Sequence, residues 1–214
     1  MKSGIRSGIR SGILGGTFDP IHVGHVEAAI ASLACAGLDL VYLVPAGRPP
    51  HRNQPMASGA DRLAMCRLAV AGRPQLQVAD WEIKRDGPSY TVDTLRQFLA
   101  EHPGEEPFLI LGWDAARELR GWRDPDLVLG LARLVIVARP GLANPDPAGL
   151  RKAGIDPERT IICLMGTPNV AASEIRRRSA QSDAIGSLVP PEVESYIHEH
   201  GLYGGSPPAG IIKS

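Results

Sequence analysis

A chain of 214 residues with 43% hydrophobic side chains can bury a sizeable core and suits one domain. Its 23 basic and 23 acidic side chains cancel, which argues against a general nucleic-acid-binding surface; no apolar run approaches the roughly 20 residues that cross a bilayer, and no secretory signal is evident. Three cysteines, Cys35, Cys66 and Cys163, stand far apart with no C-x-x-C pair, a pattern that fits a reducing compartment, a cytoplasmic location and no zinc knuckle.

Residues 1–10 contain Ser-Gly-Ile-Arg twice and read as a mobile basic leader, so the domain is expected over 11–203, with a Gly/Pro-rich disordered tail at 204–214. Residues 11–14 predict a first strand, which runs into Gly15-Gly16-Thr17-Phe18-Asp19-Pro20-Ile21-His22-Val23-Gly24-His25. Paired glycines let the backbone pass close to something bulky. The helix opening after Pro20 offers N–H groups and a positive dipole end, and His22 and His25, three apart, project from one face of its first turn. Phosphate is the natural guest of such a unit. The P-loop pattern G-x-x-x-x-G-K-[ST] is absent, and no G-x-G-x-x-G follows a strand, so neither of those phosphate sites is present. A metal site is disfavoured, because no third ligand stands nearby at a suitable spacing.

Residues 23–36 are Ala-rich and helical, with Gly37 as the stop. Residues 40–44 form a continuous apolar run, as in a strand buried on both faces. It ends in a stiff basic loop carrying Arg48, Pro49, Pro50, His51 and Arg52. Guanidinium forks match phosphate oxygens and proline lowers the entropy cost of holding them, although a solvated basic loop reads equally well. A helix at 61–71 stopped by Gly72, and a loosely alternating strand at 76–83, follow. Residues 90–100 predict a strong helix capped by Ser89 or Thr91. A strand at 108–111 ends at Gly112-Trp113-Asp114, a helix begins over 115–119, and a short helix spans 124–131. The strand at 134–138 is stopped by Arg139-Pro140-Gly141; a connecting segment fills 142–159. A last strand at 161–164, a basic helix at 173–180 and a closing helix at 191–200 complete the chain. This alternation predicts an α/β fold: a Rossmann-like, doubly wound, mostly parallel sheet with helices on both faces. Ligands of such sheets bind beyond the C-terminal strand ends.

The run at 15–25 resembles the signature of the HxGH nucleotidyltransferases, enzymes that join a nucleotide to a phosphorylated acceptor and release pyrophosphate. Pro88-Ser89-Tyr90-Thr91-Val92-Asp93-Thr94-Leu95 is similar to the nicotinate-nucleotide adenylyltransferase subgroup, and Arg85 fits its spacing. The resemblance implies ATP contacts from Gly15, Gly16, Thr17, Phe18, His22 and His25, and from Gly112 and Asp114, whose carboxylate would accept ribose hydroxyls. It implies acceptor contacts from Arg48, His51 and Arg52 over the phosphates, from Tyr90 and Thr91, from Trp122 stacked on the pyridine ring, and from Arg139. Where the family usually carries I-S-S-T-x-I-R, this chain has Val170-Ala171-Ala172-Ser173-Glu174-Ile175-Arg176. Ser173, Ile175 and Arg176 keep a hydroxyl expected to cap a helix and an arginine over its start, a second anion site. The two alanines replace hydroxyls, each worth about 1.5–3 kcal/mol if bonded to a charged oxygen.

His22, His25 and Arg176 are thus the expected catalytic residues, with a phosphate-bound Mg²⁺ and no dedicated metal cage. The expected partners are ATP and nicotinate mononucleotide, with no nucleic acid and no membrane; oligomeric state is left open. Two rivals share the opening motif: another HxGH enzyme such as a pantetheine-phosphate adenylyltransferase, and a non-catalytic nucleotide-binding module.

Overall fold

Short aliphatic runs separated by amphipathic stretches become six strands and the helices between them. The structure, a computed structural model, describes residues 8–50, 54–138, 145–164 and 170–204. The strands are β1 (Arg10–Gly16), β2 (Leu40–Pro45), β3 (Leu76–Val78), β4 (Glu106–Gly112), β5 (Arg133–Ala138) and β6 (Thr160–Leu164). They form one sheet in the order β3-β2-β1-β4-β5-β6, every pair parallel. Strand order reverses between β1 and β4, which opens a crevice at their C-terminal ends. The doubly wound α/β architecture expected from the alternation is the one observed.

The helices are α1 (Val23–Ala36), α2 (Gly59–Ala69), α3 (Trp81–Lys84), α4 (Thr91–Glu101), α5 (Trp113–Arg117), α6 (Pro125–Leu131), α7 (Pro147–Lys152), α8 (Ala172–Ala180) and α9 (Pro191–Glu199). Successive strand side chains point to opposite faces, so each strand feeds two cores. Leu14, Leu43, Ile110 and Val135 pack with Ala29 of α1, Met65 of α2, Ile175 of α8 and Val193 of α9. Ile13, Val44, Leu109 and Ile136 pack on the other face with Leu95 and Phe98 of α4 and Val128 of α6. Near-continuous apolar strands are what burial on both faces requires.

Several boundaries differ from the sequence reading. β1 begins at Arg10, whose N–H donates to Asp39 Oδ2 at 2.8 Å, and it runs through both glycines of the motif. The strand expected at 76–83 is only three residues long, because the chain turns at Asp80 into α3 and buries Trp81 and Glu82 from a helix. α2 starts at Gly59, where Ser58 caps it by accepting from the Asp61 N–H, and ends before Gly72. Within 142–159, Asp146 caps a short helix, α7, by accepting from the Gly149 N–H. Gly37 closes α1 as expected, in the left-handed region at φ 58°.

The cysteines are not three isolated thiols. Cys35, near the end of α1, forms a disulfide with Cys163 in β6, 128 residues later, at a Cα–Cα distance of 5.8 Å. Helix α1 packs against β6, and that crossing brings the two together. Cys66 remains a free, buried thiol.

Candidate active site

A cavity of about 540 Å³ opens at the C-terminal ends of the strands. Gly15, Gly16 and Thr17 form its floor as β1 ends, and Ala46, Pro49 and Pro50 bring in the loop after β2. Ser89, Tyr90 and Thr91 contribute the start of α4, while Asp114 and Trp122 come from the segment after β4. Its size is ordinary for a small-molecule site, usually about 300–1,000 Å³. Four separate stretches singled out in the sequence therefore meet around one space.

His22 sits in extended backbone at the N-cap of α1 and is only 3% exposed. Its ring stacks on that of His25 with centroids 3.6 Å apart, and Phe18 meets His25 edge-on at 4.9 Å. Gly24 explains the spacing: a Cβ there would lie 3.2 Å from His22 Nδ1 and crowd the ring. Phe18 takes φ 49° and buries its ring in the core. A Cβ on Gly16 would stand 2.8 Å from that ring, which is why the second glycine is needed.

Asp19 is the buried hub of the loop. Its carboxylate accepts from the Met56 N–H (2.8 Å), the Ala57 N–H (3.0 Å) and the Tyr203 hydroxyl (2.8 Å). Arg176 Nη1 donates to the Asp19 carbonyl at 2.6 Å, which places the α8 arginine beside the histidine loop. Arg62, 1% exposed on α2, donates from Nη1 to the Thr17 carbonyl at 2.7 Å and from Nε to Ala57 at 3.3 Å. Burial draws its guanidinium below the ordinary range, while the Asp19 carboxylate acts the other way. Burial, then Asp19, pushes the Tyr203 phenol well above its usual range, so it stays a donor. Ser173 does not cap α8; Ala171 holds the N-cap position, with no side-chain bond, and Ser173 lies exposed inside the first turn. Ile175 is wholly buried in the core.

On the opposite wall, neither Ser89 nor Thr91 caps α4. Tyr90 is the N-cap residue, without a side-chain bond, and the Ser89 hydroxyl instead accepts from the Gly47 and Arg48 N–H groups. Glu82, 8% exposed, accepts from the Thr94 hydroxyl at 2.6 Å. Burial raises its carboxyl above the ordinary range, opposed by bonds from Thr94 and Ser89 and by the charges of Arg85 and Arg62. Arg123 stacks over the Tyr90 ring at 4.7 Å, and Trp122 stands half-exposed beside it. Asp114 is exposed on the cavity rim and pairs with Arg117. His51, Arg52 and Arg139 lie outside the described residues.

Neither histidine belongs to the cavity wall itself, nor does Gly112, the residue before α5. Among the described residues no group of three or more His, Cys, Asp or Glu side chains could hold a metal ion. Asp19, three residues before His22, is committed to protein donors. Sequence reading missed Glu82, Arg123, Arg62 and Tyr203. The signal for Arg62 was an arginine on the apolar face of Leu63-Ala64-Met65-Cys66; for Tyr203 there was none.

This fold and this loop define a nucleotidyltransferase. Residues 13–178 match the cytidylyltransferase-like family model. A Pseudomonas syringae pv. tomato protein described as a probable nicotinate-nucleotide adenylyltransferase is 42% identical over 203 residues, covering 89% of this chain and 91% of the relative. A Roseiflexus relative of the same description is 44% identical over 191 residues, covering 89% and 96%. In structure, the Plasmodium falciparum nicotinic acid mononucleotide adenylyltransferase complexed with APC superposes with a TM-score of 0.77 at 18% identity, over 92% of this chain and 98% of that one. The same enzyme complexed with NaAD gives 0.76 at 19%, which shows the shared fold. The chain belongs to the nicotinate-nucleotide adenylyltransferases of the cytidylyltransferase-like family.

Proposed function

We propose that this enzyme transfers the adenylyl group of ATP to the 5′-phosphate of nicotinate mononucleotide, giving nicotinate adenine dinucleotide and pyrophosphate. The observation that carries the reading is the single cavity that has the Gly-Gly-Thr end of β1 on one wall and the start of α4 with Trp122 on the other. The acceptor phosphate has its second pKa near about 6 and attacks as an anion, so no strong general base is needed. Its oxygen forms a bond to the α-phosphorus while the bond from that phosphorus to the bridging oxygen breaks, and pyrophosphate takes the electron pair. Catalysis rests on alignment and on charge stabilisation. His22 and His25 donate toward the phosphates, and Arg176, held against Asp19, supports the leaving end. ATP would enter as its magnesium complex, the ion held mainly by the phosphates and water and offsetting their charge.

Acceptor choice follows from α4. A pyridine carboxylate and carboxamide differ by one charge at nearly constant shape, so donors must separate them. The first turn of α4 faces the cavity through Tyr90 and Thr91, and its dipole and N–H groups favour the carboxylate. Trp122 fixes the ring by stacking, while an amide sets its own N–H₂ against donors. No described helix is long and apolar enough to cross a membrane. The cytoplasm is the compartment that fits these substrates.

The test is pyrophosphate release with ATP and each of nicotinate mononucleotide, nicotinamide mononucleotide and phosphopantetheine. The acid is expected to exceed the amide by at least about 100-fold in kcat/KM, equivalent to roughly 2.7 kcal/mol. Equal efficiencies remove α4 as the carboxylate reader; turnover only with phosphopantetheine moves the enzyme to its neighbour family, and no turnover with any acceptor leaves a binding module.

A further inference from the structure

The serine of the Pro88-Ser89-Tyr90-Thr91 run stands one residue before the N-cap of α4, yet it makes no helix cap. Its hydroxyl accepts from the Gly47 N–H at 2.9 Å and the Arg48 N–H at 3.2 Å, and its own N–H donates to the Arg48 carbonyl at 2.9 Å. Three hydrogen bonds therefore tie the loop after β2 to the start of α4, 41 residues further on. Gly47 lets that loop lie flat against α3: a Cβ there would stand 2.0 Å from the Glu82 carbonyl oxygen. Behind this contact the buried Glu82 carboxylate accepts from the Thr94 hydroxyl, and Thr94 also receives a hydrogen bond from Arg85.

We infer that Ser89 is a positioning residue that sets the distance between the two walls of the acceptor half of the cavity. One wall is Pro49 and Pro50, with Arg48 at its base; the other is Tyr90 and Thr91. The inference rests on the acceptor site proposed above. The walls belong to different elements, and in the described residues the Ser89 bonds are the polar link that fixes one to the other. Ser89 thus acts on the acceptor through the backbone it holds. The ATP side, built from β1 and the Asp19 hub, hangs on separate bonds to Met56, Ala57, Arg62 and Arg176. The loop after β2 also meets β1 where the Ala46 N–H donates to the Gly16 carbonyl at 2.8 Å, a backbone bond that loosening Ser89 does not remove.

Steady-state kinetics of Ser89→Ala, Ser89→Thr and Gly47→Ala, each with ATP and nicotinate mononucleotide varied in turn, test the assignment. Ser89→Ala is expected to raise the acceptor KM about tenfold, to leave the ATP KM within about twofold, and to be rescued by Ser89→Thr, which keeps the hydroxyl. Gly47→Ala, which retains Ser89 but pushes the loop off the Glu82 carbonyl, is expected to give the same split and decides the matter if Ser89→Ala does not fold. An unchanged acceptor KM in the folded variants, or a parallel rise in both KM values, overturns the inference. The parent enzyme is assayed first: absence of transfer to the acceptor there refutes the proposed function, whereas an active parent with unmoved variants refutes only the role of Ser89.

Discussion

His22 and His25 occupy neighbouring positions on one helical turn, but their surroundings differ. The sequence reading placed both on one face of a helix start; the structure buries His22 almost completely, against His25. In the proposed mechanism, loss of either donor removes stabilisation of developing phosphate charge, which typically costs about 10²–10³ in rate. Replacing His22 with alanine also empties a buried, stacked site, worth about 1 kcal/mol or more. Both alanine variants are therefore expected to lose turnover by about 10²–10³, and His22→Ala is expected to melt at least roughly 2–4 °C lower as well. Single-turnover kinetics and thermal unfolding of the two variants check this. Turnover within twofold of the parent in both removes the pair from the chemistry.

Helix α8 shows how an element can keep its place while losing part of its end. Ala171 stands at the N-cap in extended backbone with no oxygen to offer the first turn. A serine or aspartate in such a position ordinarily stabilises a helix by about 0.5–2 kcal/mol relative to alanine. Ala171→Ser is accordingly expected to raise the melting temperature and to tighten binding of a non-hydrolysable ATP analogue, measured by calorimetric titration. Unchanged affinity in a stabilised variant separates the cap from the anion site. The same helix marks the limit of reading from sequence. The motif at 15–25 was legible because its glycines, histidines and helix start are local and each constrains the next. Ser173 was misplaced because three small residues in a row, Ala171, Ala172 and Ser173, give the helix start no local mark. The alternating run at 76–83 misled for a related reason: in eight residues, Trp81 and Ile83 fit a strand as well as a turn of helix. Ser89 reads as a cap until Gly47 is known to lie beside it, and that contact exists only after β2 and α4 have taken their places.

Across the whole molecule, one covalent and one polar tie join distant parts of the chain. The Cys35–Cys163 bond closes a span of 128 residues, for which chain entropy predicts a stabilisation of about 5 kcal/mol. In a reducing cytoplasm such a bond is usually transient. Thiol titration of the unfolded chain is expected to find one thiol, that of Cys66, in the oxidised protein and three after reduction. The reduced form is expected to melt on the order of 10 °C lower. Equal melting temperatures in the two states exclude the bond as a stabilising element. The second tie runs from Tyr203 to the Asp19 carboxylate, 184 residues away. At roughly 5–20 residues per second, the loop bearing the histidines is synthesised about ten to forty seconds before the tyrosine that clasps it. A growing chain can pair β1 with β2 long before that clasp forms, so the Asp19 carboxylate gains its hydroxyl donor only after residue 203 has left the ribosome.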